Sequence, residues 1–325
     1  MRRKKMAHNL NMNNGRASMF YVGDPPWHGL GMKLDHPASA IEAIETAGLN
    51  YTVAKKPLQA IINRRIRSDV PGNFATVRTD TNQVLGVVGS RYAPIQNRDA
   101  FAFFDAIVGK DEAIYETTGA LNRGEKIWIL ARLPGYIKLN GKDIINKYLL
   151  LYNSHDGSSL VRAKLTPVRV VCNNTLSVAL AGTDQEVRIR HTPSAVERLE
   201  EAHKLLGLTN DLYDLLETIF RRMSLKKVTD KQLIDYVKHL IPDNPESERN
   251  TRTENIRDKI LELAESADGS APIRGTAFGA YNAITEYADH VVTTDPNKRL
   301  NSIWFGGGEK LKVKAFQLAQ DMFLN

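Results

Sequence analysis

The sequence predicts an α+β fold: a mainly antiparallel sheet with flanking helices to about residue 192, followed by a helical portion. Three observations carry this. Residues 126–133 alternate strictly, with Ile127, Ile129, Ala131 and Leu133 on one face and Lys126, Trp128, Leu130 and Arg132 on the other, the period of a strand. Residues 74–88 form two such runs around Asp80-Thr81-Asn82, a hairpin by composition. After Pro193 the apolar period changes to that of a helix, with Leu212, Leu215, Leu216, Ile219 and Phe220 as one stripe.

Residues 1–24 read as an N-terminal arm, 25–192 as the sheet domain, and 193–325 as a helical portion, packed with the first as one unit or separate from it. Gly23 to Gly31 is a Pro- and Gly-framed loop presenting Trp27 and His28, which suit either base stacking or a core edge and a turn cap. A short helix is expected over 37–48, then strands at 51–53 and 58–62, the hairpin, and a helix at 97–109. A strand near 113–118, the turn 122–125 and the alternating strand at 126 follow. Residues 143–153 are apolar enough to be central. Pro167 marks a bulge or edge, Thr175 to Leu180 read as a helix, and 187–191 as a last strand. Thr229 and Gln232 make a capping box, and helices are expected at 251–266, 276–290 and 309–323.

The formal charge of +7 favours polyanionic partners. The apolar fraction of 42% supports a real core. A single cysteine forms no internal disulfide and no multi-cysteine zinc site. No apolar run nears the roughly 18 residues of a membrane helix, and no apolar stretch follows the basic start Arg2 to Lys5, so a cytoplasmic location in a bacterial host is expected. Met6 offers an alternative start.

The densest chemistry is cationic. Arg162 and Lys164, and Arg188 and Arg190, are spaced two apart, so each pair shares a strand face. With Arg169 and His191 they make a set, and no carboxylate interrupts residues 157–183. Such a row fits a phosphate backbone, or an ordinary solvated face. Lys126, Arg132, Trp128, Trp27 and His28 extend the candidate nucleic-acid surface, with Tyr92 as a further stacker. Cys172 with Asn173, Asn174 and His191 would be a thiol centre, or a buried cysteine beside a helix N-cap. Gly306 to Lys310 precedes a helix without phosphate-loop spacing. His155 and Asp156 lack a metal-binding spacing. No catalytic residue, metal or cofactor is assigned.

The blocks Pro26 to Gly31, Asn153 to Gly157, Thr166 to Leu176, Arg190 to Thr192 and Gly275 to Ala283 resemble the phage/plasmid-like protein family, of the DUF932 type, across nearly the whole chain from Met6. That resemblance implies a phage or plasmid setting and carries no catalytic residues with it. The strands followed by a helix at 126–180 are also similar in order to phage single-strand annealing proteins, which implies DNA binding on a basic groove and homo-oligomeric rings or filaments without a nucleotide. The expectation is therefore a nucleic-acid-binding protein, with single-stranded DNA favoured, serving annealing or recombination. Two alternatives stay open: a Cys- or His-dependent enzyme on a nucleotide or peptide bond, and an inhibitor that binds a host defence protein.

Overall fold

The computed structural model describes residues 10–13, 15–23, 30–63, 66–108, 114–139, 143–169, 174–175, 186–195, 197, 209–245, 251–266, 270–292, 299, 302–304 and 306–325. Its fold is α+β with a helical C-terminal part. Trp27, His28, Cys172, Asn173, most of the helix read at 175–180 and the stripe read from Val196 to Leu206 lie outside the described residues. No helix among the described residues is long and apolar enough to cross a membrane.

The chain divides into two units. The first comprises 1–134, 148–165 and 186–208, the second 135–147, 166–185 and 209–325. This differs from a single boundary at residue 192.

In the first unit, β1 (Met12–Asn13) and β2 (Arg16–Ala17) form a small ribbon, and β3 (Met19–Val22) joins the main sheet beside β4 (Met32–Leu34). The residues read as a free arm are thus partly sheet. Phe20 and Met19 are apolar enough to be buried, and they are. Ser39 caps α1 (Ala40–Thr46) by accepting from the Glu42 amide. Strands β5 (Val53–Ile61), β6 (Arg67–Arg78) and β7 (Val84–Gly89) make a separate three-stranded antiparallel sheet. The β6–β7 turn takes the left-handed conformation at Asn82, φ 55°, which asparagine tolerates best among non-glycine residues. Helix α2 (Asn97–Val108) follows, then β8 (Ile114–Leu121), β9 (Lys126–Lys138) and β10 (Ile144–Ser154).

Strand β9 has Ile127, Ile129 and Ala131 fully buried, as its alternation predicts. The opposite face differs from the sequence reading: Trp128 is only 1% exposed. Its cross-strand partner is Gly119, where an added Cβ would lie 2.5 Å from the indole. Glycine opens the slot that encloses the tryptophan, so Trp128 offers no face for stacking a base.

Strand β10 pairs with β11 (Val161–Leu165) at Leu149 to Tyr152 and with β12 (Val168–Arg169) at Ile145 and Asn146. Thr166 and Pro167 lie between the two short strands; proline lacks the amide a continuous ladder needs. Strand β13 (Asn174–Thr175) pairs with β12, so Thr175, read as the start of a helix, is extended. Strand β14 (Glu186–Ile189) pairs with β11.

The second unit holds α3 (Thr209–Leu225), α4 (Asp230–Leu240), α5 (Thr251–Ser266), α6 (Ala277–Glu286) and α7 (Gly307–Phe323). The Thr229–Gln232 capping box forms as the sequence predicts. The buried stripe of α3 is Tyr213, Leu216, Ile219, Phe220 and Met223, while Leu215 is exposed, one position away from the predicted face. Helix α6 is buried from Ala277 through Thr285 and neighbours α3, α5 and α7. Phe220, Phe278, Tyr281 and Phe316 form its aromatic core, with centroids 5.4 to 6.3 Å apart. A π-turn, Tyr287–Val291, continues α6 and carries the buried Asp289.

Candidate functional site

Three loops of the first unit frame an open cleft of about 650 Å³: 89–92 after β7, 157–160 before β11, and 190–192 after β14, with Gly72 of β6 at its rim. Its lining includes Arg91, Tyr92, Arg190 and His191 and the hydroxyls of Ser90, Ser158, Ser159 and Thr192, and among the described residues no carboxylate. Arg91 and Arg190 are exposed. Guanidiniums, hydroxyls and glycine backbone on concave ground suit a phosphate-bearing ligand.

The floor is held by close backbone approach. A Cβ at Gly86 would lie 2.6 Å from the backbone of Asp156, and one at Gly157 would lie 2.9 Å from Val88. Strand β7 and the 154–158 turn therefore fit together only with glycine at both places. Gly86→Ala is expected to lose about 1–3 kcal/mol of stability, as overpacking does where backbone cannot yield. Urea denaturation measures it, and an unchanged midpoint would refute the fit. Within the turn, Asp156 accepts from the Ser154 hydroxyl and from the Ser158 amide at 2.8 Å. Burial alone would raise its carboxyl pKa. Those hydrogen bonds and Lys126, 3.9 Å away, more than offset it, so the group lies below the usual carboxylate range.

Two neutral imidazoles sit behind the cleft. His191 is 6% exposed, stacks on Tyr92 at 4.8 Å, and among the described residues has no hydrogen-bond partner at either ring nitrogen. Burial holds its pKa down to about 4, against the raising influence of the Ala93 backbone and the Asp156 charge. His155 is fully buried, with its pKa lowered to about 3 by burial first and then by His191. The Asn97 amide donates to Leu49 O at 2.8 Å, which leaves its oxygen to accept from His155 Nε2 at 2.8 Å. His155 Nδ1 is then a lone pair without a partner among the described residues. The Tyr92 hydroxyl donates to Ser154 O at 3.0 Å, tying the cleft wall to the turn.

A family model described as a domain of unknown function, DUF932, matches residues 84–304, more than half of the chain. The chain belongs to DUF932. No curated protein and no solved structure matches it.

The DUF932 match takes in all three cleft loops; Gly72 lies ahead of it. Of the residues singled out from sequence, the cleft brings together Arg190, His191 and Tyr92. His191 joins them as a neutral ring and not as a cation. The other cations are placed elsewhere or answered internally. Arg162 and Arg188 are directly opposed across β11 and β14, and Lys164 is opposed to Glu186. Glu186 takes both guanidiniums: Arg162 through Nε and, at 2.9 Å, Nη2, and Arg188 Nε at 2.7 Å. Burial would raise the Glu186 pKa, but these two arginines keep it below the ordinary range. Lys164 is buried. Lys126 lies near Asp156, and Arg132 is half-buried. The Arg169 side chain lies outside the described residues, as do Trp27 and His28.

Among the described residues no cluster of three His, Cys, Asp or Glu is placed to hold a metal ion. The Gly308 amide at the start of α7 is taken by the Ser302 hydroxyl at 3.2 Å. Arg91, Ser90 and Ser158 were missed from sequence. Their signal was a Gly-Ser step, at 89–90 and 157–158, in two of the cleft loops, although the same step recurs at 269–270.

Proposed function

We propose that this DUF932 protein binds nucleic acid, with single-stranded DNA favoured, by seating its backbone against Arg91 and Arg190 in the cleft. The observation that carries this is the pair itself: two exposed guanidiniums share a cleft that no carboxylate lines among the described residues. Among the described residues neither makes an ion pair, in contrast to Arg162 and Arg188. Serine hydroxyls and glycine amides add neutral donors for phosphate oxygens. Tyr92 is an aromatic surface of the kind on which bases stack. The likeness to phage- and plasmid-borne proteins supplies a setting, the replication or recombination of a mobile element.

Fluorescence anisotropy with a labelled oligonucleotide tests this. Binding is expected at about 50 mM salt and should weaken steeply as salt rises. The Arg91→Ala, Arg190→Ala double variant should bind at least tenfold more weakly. Its log–log salt slope should be shallower by roughly 1.4, the value for two lost single-strand phosphate contacts. An unchanged slope, or no binding by the parent chain, would refute the proposal.

One observation favours a second reading. His191 lines the cleft as a neutral imidazole with no hydrogen-bond partner at its ring nitrogens among the described residues, the form a general base takes, although its burial and lowered pKa make it a weak one. Cleavage of a bound oligonucleotide by the parent chain and not by His191→Gln would support that reading.

A further inference from the structure

The β5–β6 hairpin is long for what supports it. Strand β7 pairs with β6 only from Asn73 to Val77. From Gly72 outward, β6 pairs with β5 alone, at Gln59–Asp69, Ala60–Ser68 and Ile61–Arg67. The distal part is thus a two-stranded ribbon reaching about 17 Å past Gly72, at about 3.3 Å per residue. The residues flanking positions 64 and 65 are hydrogen-bonded: Ile62 N–H donates to Ile66 O at 3.0 Å, and Ile66 N–H to Asn63 Oδ1 at 3.0 Å.

Its tip has the wrong composition for bare solvent. Ile61, Ile62 and Ile66 are 73%, 63% and 53% exposed. Three clustered isoleucines at a ribbon end invite association unless they have a use. The charge around them selects the partner. The ribbon segment 58–70 holds three cations, Arg64, Arg65 and Arg67, against one carboxylate, Asp69, a net charge of +2. Arg67 is exposed on the ribbon, as is Asp69, which accepts from Gln59 Nε2 at 2.8 Å, while Arg64 and Arg65 lie outside the described residues. Two such tips would repel each other, which disfavours a second copy as the cover. A polynucleotide satisfies both needs, since its phosphates take the cations and its stacked bases accept an apolar wedge. The ribbon also starts at Gly72, on the rim of the cleft.

We propose that the β5–β6 ribbon is a nucleic-acid arm whose isoleucine tip inserts between neighbouring bases of the strand held at the cleft. It rests on the nucleic-acid reading of the cleft but uses different residues. Insertion unstacks the bases it separates, and the arm lengthens the bound site beyond the cleft.

The test uses the full chain and an oligonucleotide carrying 2-aminopurine, which brightens on unstacking. The parent chain should brighten it. Ile61→Ser, Ile62→Ser removes only exposed side chains. It should abolish the brightening and weaken binding about tenfold or more, the cost of losing one to two buried isoleucines. If that variant brightens and binds like the parent while Arg91→Ala, Arg190→Ala loses binding, the arm is wrong and the cleft stands. If only the isoleucine variant loses both signals, the arm stands and the cleft reading fails. Loss of anionic-vesicle binding in the isoleucine variant, with oligonucleotide binding intact, would assign the tip to a lipid surface and overturn the arm. A change in sedimentation alone would do the same in favour of a second copy.

Discussion

Replacing Asp289 with alanine should cost about 3–5 kcal/mol of stability, more than any other single change considered for this chain. Lys312 of α7 and Asp289 of the π-turn are 0% and 2% exposed at their side chains and meet at 2.7 Å. Without the carboxylate, the ammonium stays buried among apolar helices with its counter-charge gone, and that uncompensated charge dominates the cost. Lys312→Met should cost less, because a methionine keeps the length of the stem and needs no partner, and Arg299 also lies in electrostatic reach of Asp289. The double change, Asp289→Leu with Lys312→Met, should recover most of the loss, since removing both charges also removes their desolvation. Urea denaturation followed by far-UV circular dichroism reads all three. Equal losses in the single and double variants would mean that packing, and not charge, sets the effect.

What was legible in the sequence was mostly local. The Thr229–Gln232 box needs only residues three apart, and it forms as read. The Asp80 to Asn82 turn depends on an asparagine tolerant of positive φ, and Asn82 adopts it. The core face of β9 is a matter of alternation, and Ile127, Ile129 and Ala131 are buried. What failed depended on cross-strand partners. Trp128 is enclosed because Gly119 lies opposite, and only the β8–β9 register reveals that. The cation row at Arg162 and Arg188 is answered by Glu186, which lies just beyond the acid-free window that made the row attractive. Its position two before Arg188 put it on the same face, so this neutralisation was half visible. The cleft was less so, because Arg91 and Arg190 are 99 positions apart and share a cleft only once β7 and β14 are in place.

Acid should unsettle the first unit well before its carboxylates titrate. His155 and His191 have folded pKa values of about 3 and about 4, against about 6.5 for an unfolded chain. Between those limits the unfolded state binds protons that the folded state refuses, so stability falls as pH falls. The contribution is intact above about pH 6.5 and drains away below it. At pH 5 each histidine should cost about 2 kcal/mol, from 1.36 kcal/mol per unit over the gap of roughly 1.5 units. Asp80, Asp156 and Glu186 have pKa values below the ordinary range and stay charged in this window, so they add little to the slope. Denaturant midpoints at about pH 7.5 and pH 5 should therefore differ strongly for the parent chain and less for His191→Gln. His155→Gln can keep the hydrogen bond to Asn97 and should flatten the dependence by a similar amount, since the folded state refuses this ring its proton at pH 5 too. A slope that survives both substitutions would place the acid sensitivity elsewhere and mean that the two rings ionise freely in the folded protein. The same neutrality constrains the cleft: near pH 7 any grip on phosphate comes from Arg91 and Arg190, and the Tyr92–His191 stack contributes surface and not charge.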